Sequence, residues 1–404
     1  MKAPSILAPL RYSDFRLLWA GMGASYAGDR LQEMSQAWLV ASLTSSSALA
    51  VGTIGITAAI PQLFMPVGGA IADQLNRRKL LITTQLAGAL AAFLVGLLVV
   101  SHHIAPWQIY VWSFFSGTLW LFGRPGYKVL LTESVPLDEV RPAVAINSIT
   151  ETVLIMLIAA GGSLLLARFG LALGFAFNAL SYVIAAFCLW RAPRLGEGQQ
   201  RRPQADFLRK LPGELWAGFA YLWQQPRLLE PLLLTFSTVT LTVPMTGLLA
   251  AIVHAQGGTI VNLGMLGAAS GLGAMIGALA AGWRGGGIHM LRLYAFLGLV
   301  AAAALATFAW LPVSYLSMLP LALVGGVVFS QAVWNTSRVR QAADPAYQAR
   351  LQALTTMAFT MAGAAGQVWG GIAIDHFGMS SLLVAAALLA CIALFSLLRS
   401  GRRS

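Results

Sequence analysis

The sequence predicts an all-α membrane protein of twelve transmembrane helices in two pseudo-symmetric six-helix bundles. Three observations predict it: long uninterrupted apolar runs, a one-sided distribution of lysine and arginine, and an internal repeat. Of the 404 residues, 58% are hydrophobic and only 10% are charged, whereas a soluble domain carries roughly a quarter charged residues. The apolar runs are about 20–25 residues long, and at ~1.5 Å per residue such a helix crosses a ~30 Å hydrocarbon core. They are continuous rather than alternating, which excludes barrel strands.

Taken in order, the helices are expected over roughly 15–41, 47–72, 79–101, 107–132, 142–167, 169–190, 228–254, 259–283, 289–310, 313–336, 350–374 and 379–398. The longest polar interruption, RAPRLGEGQQRRPQADFLRKLPGELW from Arg191, divides them six and six. The domains are thus an N-terminal bundle over 1–190, a cytoplasmic linker over 191–227 and a C-terminal bundle over 228–404. Within the linker, PGELWAGFAYLWQQ sets Leu215, Phe219 and Leu222 at helical spacing, with Trp216 and Trp223 beside them. This reads as an amphipathic helix on the inner surface, or as an inward extension of the seventh span.

The charge distribution orients the spans. With the N-terminus in the cytoplasm, twenty-two of the 26 Lys and Arg residues fall on the inner side and only Arg168 on the outer; Arg30, Arg124 and Lys128 lie within spans. That skew puts both termini inside a multi-pass protein of the cell inner membrane. It also accounts for the net charge of +12 without a nucleic-acid partner. Cys188 and Cys391 both sit in apolar runs and read as small core residues rather than a disulfide or metal framework. The N-terminal stretch MKAPSILAPLRYSDF has no short apolar core with a cleavage site, so the first span is expected to be retained.

A shift of 208 residues superposes the halves. GGSLLLARFG, ending at Gly170, overlays GGIAIDHFG, ending at Gly378; Arg191 falls on Arg399, and Gly69 on Gly277. Parallel halves of this kind suit a transporter that rocks about a midplane site.

The loop after the second span reads GGAIADQLNRRKLL and carries Gly69, Asp73, Arg77 and Arg78 at G-x-x-x-D-x-x-x-R-R spacing. It resembles the signature of the major facilitator superfamily between its second and third helices, with Gln74 and Asn76 as departures from the usual Arg and Gly. In this conformational latch Gly69 permits close helix approach, Asp73 caps a neighbouring helix, and Arg77 pairs with an acid such as Asp138 or Glu139. The equivalent second-half loop, AAGWRGGG, has no acid, so the latch is expected on one side only. FRLLWAGMGASYAGDRLQ, LLTESVPLDEVRPAVAINSI and RLQALTTMAFTMAGAAGQVWGGIAID resemble the drug-efflux and siderophore-exporter branch, which includes the enterobactin exporter and macrolide efflux pumps. The resemblance covers essentially the whole chain. It implies the major facilitator fold, a monomer, and a non-enzymatic transport function. Antiporters of the family usually carry G-P-x-x-G-G in the fifth span; here the region reads LIAAGGSLLL without proline, which leaves proton coupling open.

Ionisable groups inside spans cost ~2.5–3.5 kcal/mol each on insertion scales, so they mark pairs or wet cavities. The first span carries Asp29, Arg30 and Glu33, the fourth Arg124 and Lys128, and the fifth Glu151. Asp29 and Glu33, four apart, share a helix face, as do Arg124 and Lys128. From helix rise, Glu151 and Arg124 lie roughly 12–13 Å above the inner face and Asp29 roughly 21 Å, near the central cavity. Lys128 can snorkel inward, and Glu33 lies close to the outer boundary. An Arg124–Glu151 ion pair is therefore expected. Asp29 is the first candidate for the proton site and Glu151 the second, with Arg124 as the charge that switches partners. Alternatively, these charges form a fixed network holding the first bundle together.

Other signals are weaker. No G-x-x-x-x-G-K-[ST] and no metal-ligand spacing occur in the sequence, so a proton gradient rather than ATP or a cofactor is the expected energy source. His102 and His103 read as solvated loop residues. Thr235, Thr238 and Thr242 line the cavity or bond their own backbone. Trp120, Tyr127, Tyr182, Trp334, Gln367 and Trp369 are further cavity candidates. The expected function is secondary export of a small amphiphilic molecule, siderophore or drug-like; a lipid or lysolipid transporter, or a uniporter, is the alternative.

Overall fold

The computed structural model describes residues 7–65, 68, 75–192, 207–283 and 290–401. Among them there are helices and no strands. The helices are α1 (Ser13–Leu43), α2 (Ala48–Gln62), α3 (Arg77–Val100), α4 (Pro106–Glu133), α5 (Val140–Leu157), α6 (Ser163–Phe169), α7 (Ala172–Arg191) and α8 (Phe207–Trp223). They continue with α9 (Pro226–Gly247), α10 (Leu249–Ala255), α11 (Ile260–Trp283), α12 (Met290–Trp310), α13 (Met318–Ala342), α14 (Pro345–Phe377) and α15 (Ser380–Gly401).

Nine helical segments among the described residues are long and apolar enough to cross a membrane. Three that fall short were expected as spans. Helix α1 carries Asp29, Arg30 and Glu33 in its middle, α2 is 15 residues long, and α4 mixes basic residues with Trp, Tyr, Gly and Ser. Gly69 and Asp73 lie outside the described residues.

Two expected single helices are interrupted. A π-helical turn over Ile158–Gly162 joins α5 to α6, at the position where the family's proline element would fall. Here Gly162 approaches α1 so closely that a Cβ on it would lie 2.6 Å from Leu31 Cδ1. The seventh span breaks at Leu248 between α9 and α10, four residues after Pro244. The repeat survives in backbone geometry: Gly170 and Gly378 both take positive φ, 85° and 64°. Each closes a helix by donating its N–H to the carbonyl four residues back, Leu166 and Ile374 respectively.

The chain forms two compact units, Met1–Leu43 with Ile60–Ala205 and Thr44–Ala59 with Asp206–Ser404. In the first, Phe15, Leu18, Leu81, Tyr127, Leu130 and Leu189 build a core joining α1, α3, α4 and α7. Close approach of α1 to α7 depends on small residues: a Cβ on Gly28 would sit 2.2 Å from Ser181 Oγ. Arg78 donates to the carbonyls of Leu189 (2.8 Å) and Trp190 (2.6 Å), satisfying the C-terminal end of α7. Arg77 pairs with an acid, as expected, here Glu133 in the last turn of α4 at 3.1 Å.

In the second unit the first turn of α2 is held by Asp375 near the end of α14. The carboxylate accepts from Ser47 Oγ (2.7 Å), Ala48 N (2.6 Å) and Leu49 N (3.2 Å), the arrangement a helix N-terminus favours. Thr235, Thr238 and Thr242 are buried, and each donates to the carbonyl four residues earlier, so the backbone-bonding reading holds. Trp334 and Trp369 donate to the carbonyls of Ala281 and Thr240. Helix α8 buries Leu222 and stacks Tyr221 on Tyr347, leaving an exposed face of Trp216, Phe219 and Trp223.

Helices α11 and α13 pack backbone to backbone. A Cβ on Gly273 would fall 1.8 Å from the carbonyl oxygen of Ala322, whereas nothing lies within 4 Å of one on Gly282. Gly273→Ala is expected to cost ~1–3 kcal/mol by overpacking and to lower the melting temperature in detergent, with Gly282→Ala unchanged. Equal melting of the two variants contradicts this packing.

Candidate functional site

The first unit contains a partly open recess between α1, α3, α4 and α7. Its polar wall comes from three helices whose sequences place polar groups one turn apart. Helix α1 supplies Ser25 and Asp29, α3 supplies Gln85, and α7 supplies Tyr182, one turn beyond Asn178. Asp29 is 5% exposed. Its Oδ1 accepts from Tyr182 Oη at 2.6 Å and from Asn178 Nδ2 at 3.2 Å, and Asn178 also donates to Gln32 at 2.6 Å. This cluster ties α1 to α7 through a buried carboxylate, since a buried polar group without partners is costly.

The opposite wall is aromatic and basic. The Arg124 guanidinium lies 4.0 Å from the centroid of the Trp120 ring, and its Nε is buried with no hydrogen-bond partner. The expected Arg124–Glu151 pair is not formed: no carboxylate oxygen of a described residue lies within 4.0 Å of Arg124. Glu151 accepts instead from Asn147 Nδ2 at 2.9 Å, and the Asn147 carbonyl accepts from the Tyr127 hydroxyl. Tyr127 packs edge-on against Tyr26, with ring centroids 6.1 Å apart. The local Asn147–Glu151 bond spans one turn of α5, a shorter reach than the gap to α4, and the stacked Trp120 face competes for the guanidinium.

Asp29 and Arg124 therefore line one recess, and Glu151 joins it through the Tyr127–Asn147 relay. The Tyr26 hydroxyl lies within electrostatic reach of all three. Glu33 does not line the recess; it pairs with Arg30 at 2.6 Å on the partly exposed side of α1. Lys128 is exposed and also lies outside the lining. Trp120, Tyr127 and Tyr182 line the recess, while Trp334, Gln367 and Trp369 belong to packing in the second unit. Asn178, Gln85, Tyr26 and Asn147 did not stand out as site residues in the sequence. The available signal was the Asn178, Ser181 and Tyr182 set, polar groups three and four apart in an otherwise apolar run.

The model of the transmembrane secretion effector family matches residues 4–402. The chain belongs to this family of major facilitator transporters, and it is not an enzyme. It is 22% identical over 396 residues to macrolide efflux protein A of Streptococcus pyogenes, covering 95% of this chain and 96% of that protein. Solved structures with the same fold include a bacterial homologue of the iron transporter ferroportin in an inward-facing state, with TM-score 0.71 and 15% identity over 96% of this chain and 98% of the other. A bacterial homologue of the human lysosomal transporter Spinster, inward-facing and unoccupied, gives TM-score 0.72 at 13% identity over 95% and 96%.

Tyr182→Phe removes one of two donors to Asp29 and is expected to cost ~1–3 kcal/mol through the undersatisfied carboxylate. A lowered melting temperature in detergent checks it. Asp29→Asn with Tyr182→Phe should lose less than the sum of the single variants, because the two groups share one interaction.

Proposed function

We propose that this protein is a secondary exporter with twelve spans, two six-helix bundles over 1–190 and 228–404, and a linker over 191–227. It resides in the cell inner membrane as a monomer with both termini in the cytoplasm. It moves a small amphiphilic organic molecule, siderophore or drug-like, outward in exchange for protons, with the gradient as its energy source and no cofactor. The observation that carries this reading is one recess lined by a buried acid, Asp29, and a cation without a carboxylate partner, Arg124. The named activity of the streptococcal relative, macrolide efflux, supports the outward direction.

The mechanism follows from what hydration does to a buried carboxylate. A dry environment favours the neutral form, and donors, water or a guanidinium favour the charged one. As the bundles rock, access of water to Asp29 changes. Asp29 takes a proton on one side and yields it on the other, with Glu151 as a second station. The latch of Gly69, Asp73, Arg77 and Arg78 holds the inner side closed in one of the two states.

A uniporter or lipid transporter on the same fold is the second reading. It is favoured by the scarcity of mid-helix acids in the second unit, where Glu230 and Asp375 stand near helix ends. Vesicle transport separates the two. Asp29→Asn is expected to abolish efflux driven by a pH gradient while sparing substrate counterflow, and Glu151→Gln is expected to slow it. If both variants keep full gradient-driven efflux, neither acid carries the proton.

A further inference from the structure

The charged groups around the recess are unevenly partnered. Trp120 lies beneath two guanidinium groups, Arg124 at 4.0 Å and Arg30 at 5.8 Å. Arg30 is already matched by Glu33 at 2.6 Å. Asp29 already receives two hydrogen bonds on Oδ1, and Glu151 receives one from Asn147. Arg124 alone among these groups has no oxygen partner, and its Nε is removed from water. A guanidinium in a half-buried, low-dielectric site gains much from a planar oxyanion that meets its fork, more than it gains from a ring face alone. Beside it the side chains of Trp120, Tyr26 and Tyr127 line the same recess and offer apolar contact area.

We infer that the recess is a binding subsite for amphiphilic anions. A carboxylate or similar oxyanion engages the Arg124 fork, and a planar apolar ring packs on Trp120 and Tyr26. This rests on the exporter reading and names the class of cargo that its cavity takes. A cationic ligand would instead seek Asp29, whose two neutral donors, Tyr182 and Asn178, leave its charge in place, and an ammonium probe tests that alternative.

Equilibrium binding by quenching of tryptophan fluorescence in detergent tests the assignment without any gradient or direction of transport. Three ring-matched probes are 2-naphthoate, 2-naphthamide and (2-naphthyl)trimethylammonium. The wild-type protein is expected to bind the carboxylate about tenfold or more tightly than the amide or the ammonium, the difference a charge-assisted hydrogen bond supplies. Arg124→Gln removes that preference, and Arg124→Lys restores only part of it because the fork is lost. The wild-type preference stands as a measurement even where a variant fails to fold. Equal binding of the carboxylate to wild type and a folded Arg124→Gln, a preference for the ammonium probe, or no binding of the carboxylate overturns the inference. A protein that binds the carboxylate selectively but exports nothing would instead overturn the exporter reading and leave the subsite intact.

Discussion

The first unit is organised around one buried carboxylate. Asp29 sits in the middle of a 31-residue helix, where an ionisable group is tolerated only with partners. Tyr182 and Asn178, one turn apart on α7, supply them, and they can do so because Gly28 lets the two helices approach within a side-chain hydroxyl of each other. The polar cluster thus sets the spacing between α1 and α7, and that spacing shapes the wall of the recess. A leucine core on these helices would pack as tightly and leave nothing to titrate.

Across the recess Arg124 is treated in the opposite way. It is held by an aromatic face instead of an acid, an interaction worth about 0.5–2 kcal/mol, against the 3–5 kcal/mol at stake when one partner of a buried ion pair is removed. A group held by the weaker contact is freer to change partners. The unit therefore keeps its acid satisfied and its cation available, which suits a site that must exchange cargo and protons rather than one that only holds helices together.

Much of this was legible in the sequence. Apolar run length and continuity indicated helices that cross a membrane, and Asp29 and Arg124 announced themselves as charges where charges are expensive. Depth arithmetic set Arg124 and Glu151 level, but rise along an axis carries no information about which face of each helix turns inward. Trp120, one turn before Arg124, and Asn147, one turn before Glu151, each offered a nearer local partner. Asn178 was missed, and Tyr182 was named as a cavity candidate but not as a partner of Asp29, because the two lie 149 and 153 residues from it in sequence. The π-turn over Ile158–Gly162, where Gly162 packs close to Leu31, and the break at Leu248 were likewise not anticipated.

The central claim is that Asp29 itself gains and loses a proton within the accessible pH range. Infrared difference spectroscopy of the protein in lipid, stepped in pH, reads this directly from the carboxyl C=O stretch. The account predicts a reversible carboxyl band in the wild-type difference spectrum that is absent in Asp29→Asn and shifted in Tyr182→Phe, where a hydrogen bond to the same oxygen is lost. A difference spectrum identical in wild type and Asp29→Asn would contradict it.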